Sequence, residues 1–81
     1  MTEEKHVHLS EMYSGQSGRV ARIEAGAGLL SRLSALGIRP GKRITKVSSM
    51  LMRGPVTVQL GNTRLAIGFG MARKIFVEVD K

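Results

Sequence analysis

The sequence predicts a mainly β fold, a small barrel of about five antiparallel strands carrying one short α-helix. Three observations lead there. Segments rich in β-branched residues recur along most of the 81 residues, separated by glycine- or proline-containing breaks. Two cleanly alternating segments are joined by Gly61 and Asn62 alone, a strong hairpin signal. A single stretch, from Gly28 to Leu36, carries leucines at helical spacing. A chain of this length makes one small domain that buries only about 60% of the surface its unfolded form exposes.

Residues 1–7 show no apolar periodicity and read as a flexible N-terminal tail, with the domain over residues 8–81. "SGRVARIEA", from Ser17, reads as a strand whose Val20 and Ile23 break strict alternation, which predicts a bulge or burial on both faces. "GLLSRLSAL" follows. Leu29, Leu33 and Leu36 fall at i, i+4 and i+7, Leu30 widens the stripe and Arg32 lies opposite, giving an amphipathic helix. At roughly nine residues it is too short to persist alone in water, so it must be held by packing on the strands.

The segment "LSALGIRPGKRITKV" ends that helix and begins a strand. Gly37 suits the left-handed position just past the helix, Ile38 folds back onto Leu33, and Pro40 with Gly41 prevents continuation. Leu33, Leu36, Gly37, Ile38, Pro40 and Gly41 therefore form a structural joint. "KRITKVSSM" reads as a strand and "RGP", from Arg53, as a turn. In "VTVQL" and "TRLAI" the alternation points Val56, Val58, Leu60, Leu65 and Ile67 inward. "GFGMARK" allows one helical turn, and "IFVEV" sets Ile75, Val77 and Val79 against Phe76 and Glu78 as the last strand. So many short strands in about 70 residues bury their faces only by curling, which predicts a partly closed, SH3-like barrel with the helix plugging one end. An OB-fold is the neighbouring alternative.

Charge layout narrows the function. The net charge is +7, yet the acids Glu3, Glu4, Glu11, Glu24, Glu78 and Asp80 all lie near the ends. From Ala25 to Val77 there is none, while nine lysines and arginines fall in that interval. The body therefore carries a largely uncompensated positive field that suits an anionic partner; net charge kept for solubility is the plainer alternative. The expected partner-binding surface is Arg39, Lys42, Arg43 and Lys46 with the edge Met50, Leu51, Met52 and Arg53.

Several classes of chemistry find little support. There is no cysteine, so disulfides and thiolate metal sites are excluded and a reducing, cytoplasmic setting fits best. The acidic opening "MTEEKHVHLSEM" reads as neither a signal peptide nor a membrane span. His6 and His8 sit in or beside the tail, where nothing holds them in geometry for a nucleophile, and the body lacks paired carboxylates and phosphate-loop motifs. An enzyme is not expected, nor a cofactor. Transition-metal binding has weak candidates in His6 and His8, with Glu3 and Glu4 upstream. A basic nucleic-acid-binding barrel is a further option, disfavoured because only Tyr13, Phe69 and Phe76 could supply stacking platforms.

The order "LSEMYSGQSGRVARI", then "LSALGIRPGKRITKV", then "GPVTVQLGNTRLAIGFGMARKIFVEV" resembles the FeoA family of small proteins of ferrous iron uptake. The likeness runs from residue 9 to residue 79 and is most specific at the joint, Leu36-Gly37-Ile38 followed by Pro40-Gly41. The resemblance implies an SH3-like barrel in the cytoplasm that docks on the FeoB membrane iron transporter and modulates its assembly or GTP turnover. A related domain ends the iron-dependent repressors, which implies a metal-sensing module as the alternative. "GFGM" departs from the polar helical turn that relatives tend to carry. A basic body also suits the anionic inner membrane surface, where each lysine or arginine contributes about 1 kcal/mol.

Overall fold

The computed structural model describes residues 6–49 and 54–80. Among these residues six strands form, β1 (His6–His8), β2 (Ser17–Ile23), β3 (Arg43–Ser49), β4 (Val56–Leu60), β5 (Thr63–Ile67) and β6 (Ile75–Val79). Two helices join them, α1 (Ala27–Ala35) and the four-residue α2 (Phe69–Ala72). The strands form one sheet in the order β1-β6-β2-β3-β4-β5 with every neighbouring pair antiparallel. The helical turn expected in "GFGMARK" is α2. Among the described residues no helix is long and apolar enough to cross a membrane.

The strand beyond the expected five is β1, which corrects the tail boundary at residue 7. His6, Val7 and His8 lie opposite Glu78, Val77 and Phe76, and Val7 packs against the core beside buried Val77. A single apolar residue between two polar ones carries too little periodicity to signal a strand, but the open edge of β6 supplies the hydrogen-bonding partner. A 3-10 turn over Leu9–Glu11 then places fully buried Leu9 against the barrel, where it meets α2.

The uneven spacing of Val20 and Ile23 resolves as a β-bulge, since the register of β2 on β6 shifts between Val20 and Arg22. At Gly18, which pairs with Ile44 of β3 and with Val79 of β6, β6 approaches so closely that a side chain has no room: a Cβ there would lie 2.3 Å from the Glu78 carbonyl oxygen. The hairpin forms in the expected register, Leu60 opposite Thr63 with Gly61 at a φ of 61°. Val56, Val58 and Ile67 are buried.

Helix α1 turns Leu33 into the core, with Leu29 packed against it. Leu36 differs from the expected stripe. It is the C-cap residue, 52% exposed, because the chain reverses there and Ile38, fully buried, takes the next inward position.

Candidate functional site

The joint is a Schellman motif. Gly37, at a φ of 94°, donates its N–H to Ser34 O at 2.9 Å, and Ile38 donates to Leu33 O at 2.8 Å. Gly41, at a φ of 93°, donates to Val20 O at 2.8 Å, and Val20 donates to Lys42 O at 2.9 Å. The loop that presents the cations is thus tied to β2 through its backbone. Arg39, Lys42 and Arg43 all have exposed side chains.

An open cleft of about 490 Å³ runs between this joint and the tip of the β4–β5 hairpin. One wall is Leu36, Gly37, Lys42 and Arg43; the other is Leu60, Gly61 and Thr63. The Leu60 side chain reaches the Gly37 backbone, since a Cβ there would lie 4.0 Å from Leu60 Cδ1. The site therefore sets a leucine on each wall, Leu36 and Leu60, beside the cations Lys42 and Arg43. Exposed Leu36 and half-buried Leu60 beside two cations offer apolar contact and charge to an anionic group attached to an apolar side chain.

Arg43 has an intramolecular partner that no local pattern signals. Its guanidinium meets the Asp80 carboxylate through both oxygens, Nη2 to Oδ2 and, at 3.4 Å, Nη1 to Oδ1. The hydrogen bond from Arg43 holds the Asp80 carboxyl below its ordinary pKa, and the charges of Arg43 and Arg19 act in the same direction. Arg19 lies on β2 directly opposite Arg43. Both members of the pair are about half exposed.

Lys46 is the main correction to the expected surface. It is 2% exposed, and its ammonium donates to Met12 O at 2.5 Å, with Ser10 O at 3.4 Å. Its N–H donates to Gln16 O, and its C=O accepts from Gly15 N–H. The residue thus pins the segment between β1 and β2 from three sides and is not available to a partner. Burial pushes its amine pKa down. The signal was present in the strand period, since Lys46 lies two residues from buried Ile44 and shares its face.

A second cleft, of about 420 Å³, lies where α1 crosses β2 and is lined by Leu30, Ser34, Ile38, Arg39 and Pro40 with Ala21, Arg22 and Ile23. Arg39 therefore stands at a different opening from Lys42 and Arg43. Met50, Leu51, Met52 and Arg53 lie outside the described residues. His8, expected to be unheld, is fixed. Its Nδ1 is 2.5 Å from Ser10 Oγ, its Nε2 is 3.5 Å from Glu11 Oε1, and its ring meets Phe76 edge-on. Arg22 stacks on the same Phe76 ring, 4.2 Å from its centroid. His6 stands opposite Glu78. Among the described residues no cluster of three or more histidine, aspartate or glutamate side chains is placed to hold a metal ion.

Comparison with known proteins agrees with this architecture. A model of the FeoA domain matches residues 7–79. A Methanocaldococcus jannaschii protein assigned as an Fe(2+) transport protein A is 36% identical over 64 residues, covering 79% of this chain and 76% of the relative. The crystal structure of an iron uptake regulatory protein (FeoA) superposes with a TM-score of 0.84 at 36% identity, covering 94% of this chain and 99% of the other. A manganese-dependent transcriptional repressor superposes equally well, with a TM-score of 0.84, over 96% of this chain but 44% of its own; at 23% identity it shares the fold alone. The barrel is thus the SH3-like fold expected from the strand pattern, and with nearly its whole length matched the chain belongs to the FeoA family.

Proposed function

We propose that this protein is a non-enzymatic docking subunit of ferrous iron uptake, working in the cytoplasm and binding the cytoplasmic part of an FeoB-type transporter to modulate its assembly or GTP turnover. The observation that carries the reading is the cleft at the helix–strand joint, where Leu36 and Leu60 lie beside Lys42 and Arg43 on a body without an acid from Ala25 to Val77. Family membership supplies the iron-uptake setting. A backbone-tied loop presenting cations and exposed Leu36 suits protein association, in which charge steers the encounter and apolar contact holds it.

The test is co-purification with the transporter, or with its isolated cytoplasmic domain, at low salt. Association is expected, and charge reversal of Lys42 is expected to weaken it at least tenfold, a loss of about 1.4 kcal/mol. Absence of association in both formats would overturn the reading.

A further inference from the structure

We propose that the Leu36–Leu60 cleft takes an acidic, extended peptide segment, an aliphatic side chain entering between the two leucines and flanking carboxylates meeting Lys42 and Arg43. Asp80 is the built-in competitor for the Arg43 half of that site. The inference rests on the docking reading only for the protein that supplies the segment.

Four observations support it. The cleft, at about 490 Å³, lies within the size range of ligand pockets, about 300–1,000 Å³. Its apolar part arises because the Schellman turn swings Leu36 out of the core, leaving a large side chain 52% exposed. Its rim is cationic on one wall. Finally, Arg43, which lines the cleft, already engages a carboxylate through both oxygens, the contact a partner's carboxylate would make.

The intramolecular pair is also exchangeable. Arg43 and Asp80 are each about half exposed, and exposed ion pairs of this kind are held weakly and screened by salt. A partner carboxylate therefore replaces Asp80 on Arg43 with little loss. Other anionic partners fit less well. The lining residues include no aromatic ring to stack a base, and a flat bilayer surface does not enter the space between the two walls.

The test uses the intact protein and a fluorescein-labelled peptide of alternating glutamate and leucine, followed by fluorescence anisotropy. Saturable binding that weakens with added salt is expected. Lys42→Glu and Leu36→Ser should each weaken it about tenfold, and Asp80→Asn should tighten it about threefold by releasing Arg43. Thermal melting of each variant checks that the fold is intact, and the surface position of Asp80 keeps that variant informative if Leu36→Ser is destabilised. Unchanged or weaker binding by Asp80→Asn would overturn the competitor role. Peptide binding indifferent to both Lys42→Glu and Leu36→Ser would overturn the site. So would a single-stranded oligonucleotide or phosphatidylserine vesicles that bind with the same variant pattern while the peptide does not bind. Transporter association untouched by both variants would overturn the transporter as the source of the segment and leave the docking reading standing, whereas peptide binding with the expected pattern but no transporter association would support the site and refute the docking reading.

Discussion

Replacing Gly18 with alanine adds one methyl group where β2 and β6 leave no room for it. A Cβ built at Gly18 lies 2.3 Å from the Glu78 carbonyl oxygen, 2.7 Å from Val77 Cγ1 and 2.9 Å from Val79 Cα. Ordinary contact begins near 3.4 Å, so β6 must retreat by about 1 Å from a strand it pairs with along its whole length. Movement of β2 the other way is blocked by β3, which pairs with Gly18 through Ile44. Overpacking in well-packed cores destabilises by about 1–3 kcal/mol, and obstruction by backbone at a doubly paired position argues for the upper end. A domain of this length has a total stability of about 4–12 kcal/mol. At about 4–8 °C per kcal/mol, the melting temperature should therefore fall by about 12–24 °C. Circular dichroism during heating, with urea titration as a second readout, measures the effect. A Gly18→Ala protein that melts within about 3 °C of the original would refute the close approach of β2 and β6.

The same substitution at Gly28 should act in the opposite direction. Gly28 is the second residue of α1 and no described atom lies within 4 Å of a Cβ built there, so alanine should stabilise by up to about 1 kcal/mol; a lowered melting temperature would contradict the helix boundary. Lys46→Met should cost about 1–3 kcal/mol at neutral pH, because Met12 O and Ser10 O lose their ammonium donor, and the shift in urea midpoint reports it. Lys46 also gives a pH signature. Its folded pKa is below its unfolded value, so between the two the unfolded chain binds more protons and stability rises with pH. The stability gap between the original protein and Lys46→Met should accordingly widen as pH climbs from neutral into the alkaline range, and a gap that stays constant would contradict burial as the cause.

Much of the fold was legible because its signals are local. The Gly61-Asn62 link, the Gly37-Ile38 reversal and the Val20–Ile23 irregularity each act within a few residues, and each appears as the hairpin, the Schellman cap and the bulge. Strand β1 was not legible because its cause lies on β6, about 70 residues away. The site divides in the same way. Lys42 and Arg43 were placed on the surface by their position after the joint, whereas the Arg43–Asp80 pair, separated by 37 residues, needs the pairing of β2 with both β3 and β6 to bring it together. Lys46 is a different case. The alternation that buries Ile44 also buries Lys46, but weighting charge above strand period turned an inward residue into an outward one.

Removing Lys46 from the surface changes what the positive field can do. Of the three surface cations closest to the joint, Arg39 belongs to one cleft and Lys42 and Arg43 to another, and Arg43 is already engaged by Asp80. The basic face is therefore a sparse array in which Lys42 is the cation of the Leu36–Leu60 cleft with no ion pair among the described residues. A sparse array at physiological salt, where the screening length is about 8 Å, attracts anions without selecting among them. Selection must then come from the apolar part of the cleft, since Leu36 and Leu60 discriminate by shape at short range while the net charge acts at long range on every anion alike. Charge and shape thus have separable kinetic effects: the cations set the encounter rate and its salt dependence, and Leu36, exposed by the helix cap, with Leu60 across the cleft sets how long the partner stays.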